Sequence, residues 1–121
     1  MKSYNVIIAD TAADDLKDII HHVKYTLSSP IAASHLFEEF KSSILSLSFF
    51  PERYPAYSDN YKHIKALPIG NYLILYAINE INTTVDIVRI VSSNNNVDKI
   101  ISAVTSSILS EGVTGNIYSY Y

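Results

Sequence analysis

The spacing of apolar residues changes along this chain, from every second position to every third or fourth and back again. Residues 3–9 are rich in Val and Ile and alternate weakly, which predicts a β-strand. A helical repeat follows and predicts a first helix over residues 11–27, with Asp10 or Thr11 as its N-cap. The apolar face of this helix is formed by Leu16, Ile19, Ile20, Val23 and Leu27.

A second helix is predicted directly after the first. Ser29 is expected at its N-cap and Pro30 at its first helical position, where a missing N–H leaves no hydrogen bond unmade. Its apolar stripe consists of Ala33, Leu36, Phe37, Phe40, Ile44 and Leu47. Because the connection is short, we expect the two helices to form an antiparallel hairpin. The segment that follows breaks the helical repeat, and we expect it to plug the end of the hairpin with Phe49, Phe50, Pro51 and Pro55.

Three further strands are predicted in the second half of the chain. Residues 62–67 alternate like a strand with one wet face, and residues 68–71 are typical of a turn. Residues 72–78 and 85–91 are long and apolar, which predicts a hairpin. The second of these strands is expected to be central in its sheet, because both of its faces are apolar apart from two charged residues.

A last helix is expected after a polar break, with Asn96 as its cap and an apolar stripe at Val97, Ile100, Ile101, Val104 and Ile108. The 121 residues suit a single domain. We assign residues 1–109 to that domain. Residues 110–121 form a tail that contains three tyrosines and shows no clear period.

Composition narrows the class of protein. The chain is 48% hydrophobic and contains no cysteine, so a full core is expected and thiolate zinc sites are excluded. No run of about 18 apolar residues is present, so we expect neither a membrane span nor a signal peptide, and a cytoplasmic location. The formal net charge is −3, whereas domains that hold nucleic-acid phosphates are usually basic.

A few basic residues are the candidates for catalysis on a phosphate. Alternation places His63 and Lys65 on one face of the same predicted strand, and Lys62 lies beside them. With Arg53 or Arg89 nearby, this set has the charges and the titratable group that such chemistry requires. The alternative is a solvated strand with an ordinary histidine. In that case Arg89 is structural, because a charge on a central strand needs a carboxylate partner.

No metal or cofactor is expected. Asp18 and His22 are one helical turn apart and have ligand chemistry, but the sequence implies no further ligand, and a solvated helix face is the simpler interpretation. The chain also lacks a glycine-rich phosphate loop, a nucleophile elbow and a zinc pattern.

Tyrosine is abundant, with ten residues in the chain. Aromatic side chains with a polar tip are common in protein interfaces. We therefore consider Tyr54, Tyr57 and Tyr61 as candidates for a partner-binding surface, with ordinary packing as the alternative.

Five short segments occur in an order that resembles the RelE/ParE family of type II toxin–antitoxin toxins, also called plasmid stabilisation proteins, and the chain is nearer to ParE. They are Ala13-Asp14-Asp15-Leu16, residues 29–33 between the helices, residues 47–55, Gly70-Asn71-Tyr72 with the strand that follows, and Val88-Arg89-Ile90-Val91. The resemblance implies an α+β fold: an N-terminal strand, an antiparallel two-helix hairpin, a three-stranded antiparallel meander that completes one sheet, and a C-terminal helix.

The resemblance also implies an activity to be tested. RelE-like members are ribosome-dependent mRNA endoribonucleases with an arginine before the glycine-asparagine-tyrosine strand and basic, histidine or tyrosine residues after the last strand. Here Lys65 takes the first position, which keeps the charge but loses the bidentate fork of arginine. Residues 92–96, Ser-Ser-Asn-Asn-Asn, follow the last strand and contain no group that titrates near neutral pH.

Three functions are therefore open. The favoured one is a ParE-like toxin that inhibits growth by binding DNA gyrase, without chemistry of its own, and that a cognate antitoxin neutralises. The second is a RelE-like ribosome-dependent endoribonuclease acting on mRNA. The third is an inactive toxin homologue that binds only an antitoxin. The resemblance implies that the antitoxin wraps around the helical hairpin and the sheet.

Overall fold

The computed structural model describes residues 2–110 of the protein, and their side chains as far as residue 104. The main elements, in chain order, are β1 (Asn5–Ile8), α1 (Asp10–His21), a π-helical turn (His22–Thr26), α2 (Pro30–Ser46), β2 (Lys65–Ile69), β3 (Tyr72–Asn79), β4 (Thr84–Ser92) and α3 (Val97–Ser110). Two short 3-10 turns, Pro51–Arg53 and Asp59–Tyr61, lie between α2 and β2. The predicted tail lies almost wholly outside the described residues.

The four strands form one sheet in the order β1-β4-β3-β2. β1 is parallel to β4, whereas β2, β3 and β4 form an antiparallel meander. A parallel pair needs a long crossover connection, and the two-helix hairpin begins this crossover directly after β1. The predicted α+β fold is confirmed, as is the central position of the last strand, which lies between β1 and β3.

The sheet has an apolar face on each side. On one face, Ile74 and Tyr76 of β3 pack against Phe40 and Ile44 of α2 and Ala12 of α1. On the other face, the core is formed by Leu75, Ala77, Val91, Val97 and Ile101, so that α3 covers this side. Tyr72 packs on the same face as Tyr76.

β4 contains a bulge at the point where β1 ends. Leu75 pairs with Arg89 and Tyr76 pairs with Ile87, so Val88 is an extra residue without a partner on β3. Pairing with β1 stops at Ile87, whose carbonyl accepts a 3.0 Å hydrogen bond from the Ala9 N–H. A bulge locally disrupts the ladder and bends the strand, so the β4 backbone beyond this point needs other partners.

Side chains of α1 supply those partners. The Thr11 hydroxyl donates to the Val88 carbonyl at 3.2 Å. The Ile90 N–H donates to Asp15 Oδ2 at 3.0 Å, and the same carboxylate accepts a bidentate pair from Arg89, at 2.7 Å from Nε and 3.0 Å from the second terminal nitrogen. Asp15 and Arg89 are mostly shielded from water. The first two turns of α1 therefore continue the contact that β1 begins.

A buried tyrosine fixes the segment after α2 in a similar way. The Tyr76 hydroxyl donates a 2.6 Å hydrogen bond to the carbonyl of Pro51, and both residues are buried. Burial raises the pKa of the Tyr76 phenol well above its usual range. The start of β1 is held to the same segment, because the Tyr4 N–H donates to the Ser48 carbonyl and the Ser48 hydroxyl donates to the Tyr4 carbonyl.

Both ends of the helical hairpin differ in part from the sequence-based prediction. The first helix starts one residue early, with Ala9 at its N-cap, and its last turn is a π-helix in which the Leu27 N–H bonds to the His22 carbonyl. Ser29 and Pro30 take their predicted positions, although the Ser29 side chain makes no capping bond. The predicted aromatic plug is wrong, because Phe49 and Phe50 are each 54% exposed and only the neighbouring proline is buried.

The prediction for β2 was shifted along the chain. The strand begins at Lys65 rather than at residue 62, and it includes Pro68 and Ile69, which were assigned to a turn. β2 is an edge strand, where the missing N–H of a proline is tolerated. The turn is only Gly70-Asn71, and Gly70 has φ +54°, a conformation that favours glycine. The predicted cap of α3 is confirmed, since Asn96 Oδ1 accepts from the Lys99 N–H at 3.2 Å.

The Asp15 contact predicts a large loss of stability when the carboxylate is removed. Asp15→Ala leaves the Arg89 guanidinium and the Ile90 N–H without their acceptor, and we expect the free energy of unfolding to fall by about 3 kcal/mol. Urea denaturation at neutral pH measures this. Asp14→Ala, which removes an exposed carboxylate from the same helix, is the matched control and should change stability by less than about 0.5 kcal/mol. Equal effects of the two substitutions would show that Asp15 does not anchor the helix.

The Tyr76 hydrogen bond predicts a dependence of stability on alkaline pH. Because the pKa of Tyr76 is raised in the folded state, its contribution to the free energy of unfolding is complete below about pH 10, where the unfolded tyrosine is also protonated. The contribution is lost as the pH rises above that value. Tyr76→Phe should lower the free energy of unfolding at neutral pH by about 1–2 kcal/mol. Between neutral pH and about pH 11, the free energy of unfolding of the variant should fall by less than that of the wild type. Tyr25→Phe, at an exposed site, is the control for both measurements. A Tyr76→Phe protein with an unchanged alkaline slope would contradict this assignment.

Candidate functional site

The five basic residues proposed for catalysis do not form one cluster. Lys65 contacts the segment between α2 and β2, and Arg53 lies in that segment and contacts the end of α2, whereas Arg89 is held by α1. In the sheet, Lys65 pairs with Tyr76 and Arg89 pairs with Leu75, so β3 separates the two. Their backbones are therefore about 10 Å apart, the width of two strand spacings.

Lys65 is half-buried, and its ammonium group holds a loop in place. Nζ donates to the Tyr54 carbonyl at 2.9 Å and lies 3.9 Å from a carboxylate oxygen of Glu52. Lys65 therefore stabilises the backbone of the segment between α2 and β2, to which Tyr76 also bonds. This arrangement gives Lys65 a structural task that the sequence did not reveal.

Arg53 is exposed and closes the end of α2. Its guanidinium donates to the Ser46 carbonyl at 3.0 Å and lies 5.4 Å from the centre of the Tyr54 ring. Carbonyl groups in the last turn of a helix have no partner within the helix, so a cation at this position is favourable. Among the catalytic candidates, Arg53 and the exposed Lys62 remain accessible to a large ligand.

Arg89 has a carboxylate partner in Asp15, as the alternative interpretation of this residue expects. Its hydrogen bonds to Asp15 raise the pKa of the guanidinium above its usual value. The sequence predicted a carboxylate partner for Arg89 but did not identify it. Asp15 is 74 positions away, and Asp14, beside it in the chain, is exposed.

His63 is not on the strand that carries Lys65, so the prediction that they share a strand face is wrong. It lies in the turn between the 3-10 turn Asp59–Tyr61 and β2. The Ile64 N–H donates to the Tyr61 carbonyl, which closes this turn and breaks the predicted alternation. His63 is half-buried, and burial lowers the pKa of its imidazole, which favours the neutral form at physiological pH.

The three candidate partner-binding tyrosines are half-buried. Tyr54 packs against the core beneath α1 and α2, whereas Tyr57 and Tyr61 pack against the core beneath α3. Burial, together with a hydrogen bond to Asp98, raises the pKa of Tyr57. Each ring therefore contributes to packing, and each keeps an exposed part for contact with a partner.

An exposed apolar surface lies elsewhere, along the helical hairpin. An open groove of 410 Å³ runs between α1 and α2, and its residues are Ala13, Leu16, Lys17, Ile20, His21, Lys24, Tyr25 and Phe37. A second hollow of 230 Å³ shares Ile20, Lys24 and Phe37 with it and reaches Pro30 at the start of α2. At this end of the hairpin, Leu27 and Ile31 are strongly exposed. Apolar surface grouped in this way is a candidate for contact with a partner.

The sequence contained a signal for this groove that was not used. The predicted stripe of α2 includes both Leu36 and Phe37, which is wider than one core-facing row. In the structure Leu36 packs on the core and Phe37 is 41% exposed in the groove. The π-turn, which carries Lys24 and Tyr25, had no recognisable sequence signal.

The described residues lack two other features. They contain no group of three or more His, Cys, Asp or Glu side chains placed to hold a metal ion. Within residues 2–110, no helix combines the length and the apolar character needed to cross a membrane.

Comparisons with known proteins bear on the fold and the family. Solved structures with a similar fold include the chromosomal ParDE toxin–antitoxin system of P. aeruginosa, with a TM-score of 0.63 and 15% identity over 74% of this chain and 96% of that chain. A mutant E. coli toxin RelE in the free state is similar with a TM-score of 0.62 and 11% identity, over 88% of this chain and 98% of that chain. The RelBE2 toxin–antitoxin complex of Mycobacterium tuberculosis is similar with a TM-score of 0.56 and 24% identity, over 76% of this chain and 93% of that chain.

The sequence itself carries the family assignment. No curated protein sequence is significantly similar to this chain. Residues 6–97, however, match the family described as ParE toxin of type II toxin-antitoxin system, parDE. This match covers β1 to the start of α3 and thus the whole sheet and the helical hairpin. The chain therefore belongs to the ParE toxin family of type II toxin–antitoxin systems.

Proposed function

We propose that this protein arrests growth by binding DNA gyrase, as a ParE-like toxin without a reaction of its own, and that a cognate antitoxin neutralises it. We place this action in the cytoplasm. One observation carries the proposal: Lys65 and Arg89, two of the basic residues suited to a phosphate by sequence, make partly buried hydrogen bonds that support the fold.

The segment after β4 supports the same conclusion. The Ser93 N–H bonds to the Asn71 carbonyl across the hairpin, and the Asn94 N–H bonds to the Ser92 hydroxyl. Asn96 caps α3. These residues form a turn and a helix cap, and none of them supplies the general acid or base that cleavage of RNA requires.

The antitoxin is proposed from the family and from the exposed apolar surface. The ParDE and RelBE2 structures are described as a toxin–antitoxin system and a toxin–antitoxin complex. In this chain the groove between α1 and α2 offers Leu16, Ile20 and Phe37 to a partner. An amphipathic helix that lays its apolar face in such a groove is a common mode of recognition.

The second candidate is a ribosome-dependent mRNA endoribonuclease that uses Lys62, His63, Lys65 and Arg53. It is favoured by the position of Lys65 before the hairpin of β3 and β4 and by its proximity to Arg53 along one short segment. The third candidate, an inactive homologue, differs from both because its expression would not stop growth.

The occupancy mechanism predicts that toxicity survives loss of the candidate catalytic groups. On induced expression in bacteria, wild-type protein should arrest growth, and His63→Ala combined with Lys65→Met should still do so. Circular dichroism checks that the variant is folded, because Lys65→Met removes a loop contact worth about 1–3 kcal/mol. If a small open reading frame adjoins the gene for this chain, co-expression of its product should restore growth.

Mapping of transcript ends in the arrested cells distinguishes the candidates. Binding to gyrase predicts no new 3′ ends on translated mRNA, whereas the endoribonuclease predicts new ends that vanish in the folded double variant. The appearance of such ends would overturn the proposal. Growth without arrest, at a level of soluble protein confirmed by immunoblot, would favour the inactive homologue.

A further inference from the structure

The segment that follows α2 presents two adjacent aromatic rings to solvent. Phe49 and Phe50 are each 54% exposed, and both line one open hollow of 420 Å³ beside the start of β1. Single exposed apolar side chains are common on proteins, whereas neighbouring rings that line the same hollow form a candidate contact surface. We name this surface the Phe49–Phe50 patch. The other residues of its lining are Lys2, Tyr4, Pro51, Glu52 and Arg53.

Buried contacts hold the backbone that carries the two rings. Pro51 is buried, and its carbonyl accepts the 2.6 Å hydrogen bond from the Tyr76 hydroxyl. On the other side of the rings, the Ser48 carbonyl accepts from the Tyr4 N–H at 2.7 Å, and the Ser48 hydroxyl donates to the Tyr4 carbonyl at 2.9 Å. The rings are therefore exposed on a segment that is fixed at both ends. A surface held in this way loses less conformational entropy when a partner binds it.

The patch carries charges of both signs beside the rings. The Glu52 side chain is 67% exposed, and its contact with Lys65 is long, at 3.9 Å. Arg53 is exposed and donates from one terminal nitrogen to the Ser46 carbonyl. The charge of Lys2 is balanced by Glu80 at 2.9 Å. A carboxylate and a guanidinium therefore lie next to each other at the rim of the hollow.

From these observations we propose that the Phe49–Phe50 patch is the contact between two copies of this chain in a two-fold symmetric dimer. A two-fold axis places the same surface on both sides of an interface. Here it sets apolar rings against apolar rings and Glu52 of one protomer against Arg53 of the other, twice. A carboxylate and a guanidinium fork match in geometry as well as in charge. The patch is thus complementary to its own copy, whereas a rim of one sign would repel it.

The exposed area sets the strength of this association. A phenylalanine buries about 150–250 Å², so two half-exposed rings offer roughly 200 Å² on each protomer. A standard interface buries about 800 Å² on each side, and the remainder here comes from the polar rim. We therefore expect a weak dimer with a dissociation constant of about 100 μM. The patch shares no lining residue with the groove between α1 and α2, so the dimer leaves the residues of that groove out of its interface.

Sedimentation equilibrium of the full-length protein tests the inference. Between micromolar concentrations and about 1 mM, the wild type should change from monomer to dimer. Phe49→Ser combined with Phe50→Ser should weaken the association at least about tenfold. Tyr25→Ser combined with Leu27→Ser removes two side chains that are each 59% exposed on the helical hairpin, and should leave the association unchanged. Circular dichroism checks the fold of each variant. A wild type that stays monomeric throughout, or a dimer that survives loss of both phenylalanines, would overturn the proposal.

An exchange of charges tests the two-fold geometry. Glu52→Arg alone and Arg53→Glu alone each place like charges opposite one another, and each should weaken self-association by roughly fivefold to tenfold. An equimolar mixture of the two variants restores both opposite-charge pairs. With one variant fluorescently labelled, the mixture should associate about as tightly as the wild type. A mixture that associates no better than either variant alone would contradict the proposed contact.

Discussion

The carboxylate of Asp15 joins the helical hairpin to the central strand of the sheet, and the arrangement of the molecule depends on this contact. β1 pairs with β4 only as far as Ile87, where the bulge begins. Asp15 then accepts from the backbone of Ile90 and from the guanidinium of Arg89, so one side chain replaces the missing strand. The contact of Asp15 with β4, just beyond the last residue that pairs with β1, holds α1 in its orientation. The position of the groove along α1 follows from this orientation.

Several other basic residues also make contacts within the fold. The chain has only two arginines, and each makes hydrogen bonds within the fold. Arg89 of β4 donates to Asp15 of α1, and Arg53 donates to the carbonyl of Ser46 at the end of α2. Lys65 holds the Tyr54 carbonyl, and Lys2 pairs with Glu80 at 2.9 Å. Two of the remaining lysines, Lys17 and Lys24, line the groove between α1 and α2. A protein organised like this is suited to act by binding, which is the basis of the proposal of a ParE-like toxin.

The predictability of the fold and of the site differed for physical reasons. Helix and strand periods come from local spacing, so the order of elements, the central position of β4 and the cap at Asn96 were visible in the sequence. The bulge, the π-turn and the choice of Asp15 over Asp14 as the partner of Arg89 depend on tertiary contacts between distant residues, which local spacing does not encode. The shift of β2 had a similar origin, because a turn at Tyr61–Ile64 interrupts an alternation that looked continuous.

Titration of purified DNA gyrase with the purified protein tests most directly whether it acts by occupancy. If the account is correct, supercoiling activity will fall in proportion to the protein added and will level off at a fixed molar ratio, with no further loss over time. Undiminished supercoiling at a large molar excess, together with cleavage of mRNA on translating ribosomes by far less than one molecule per ribosome, would contradict it.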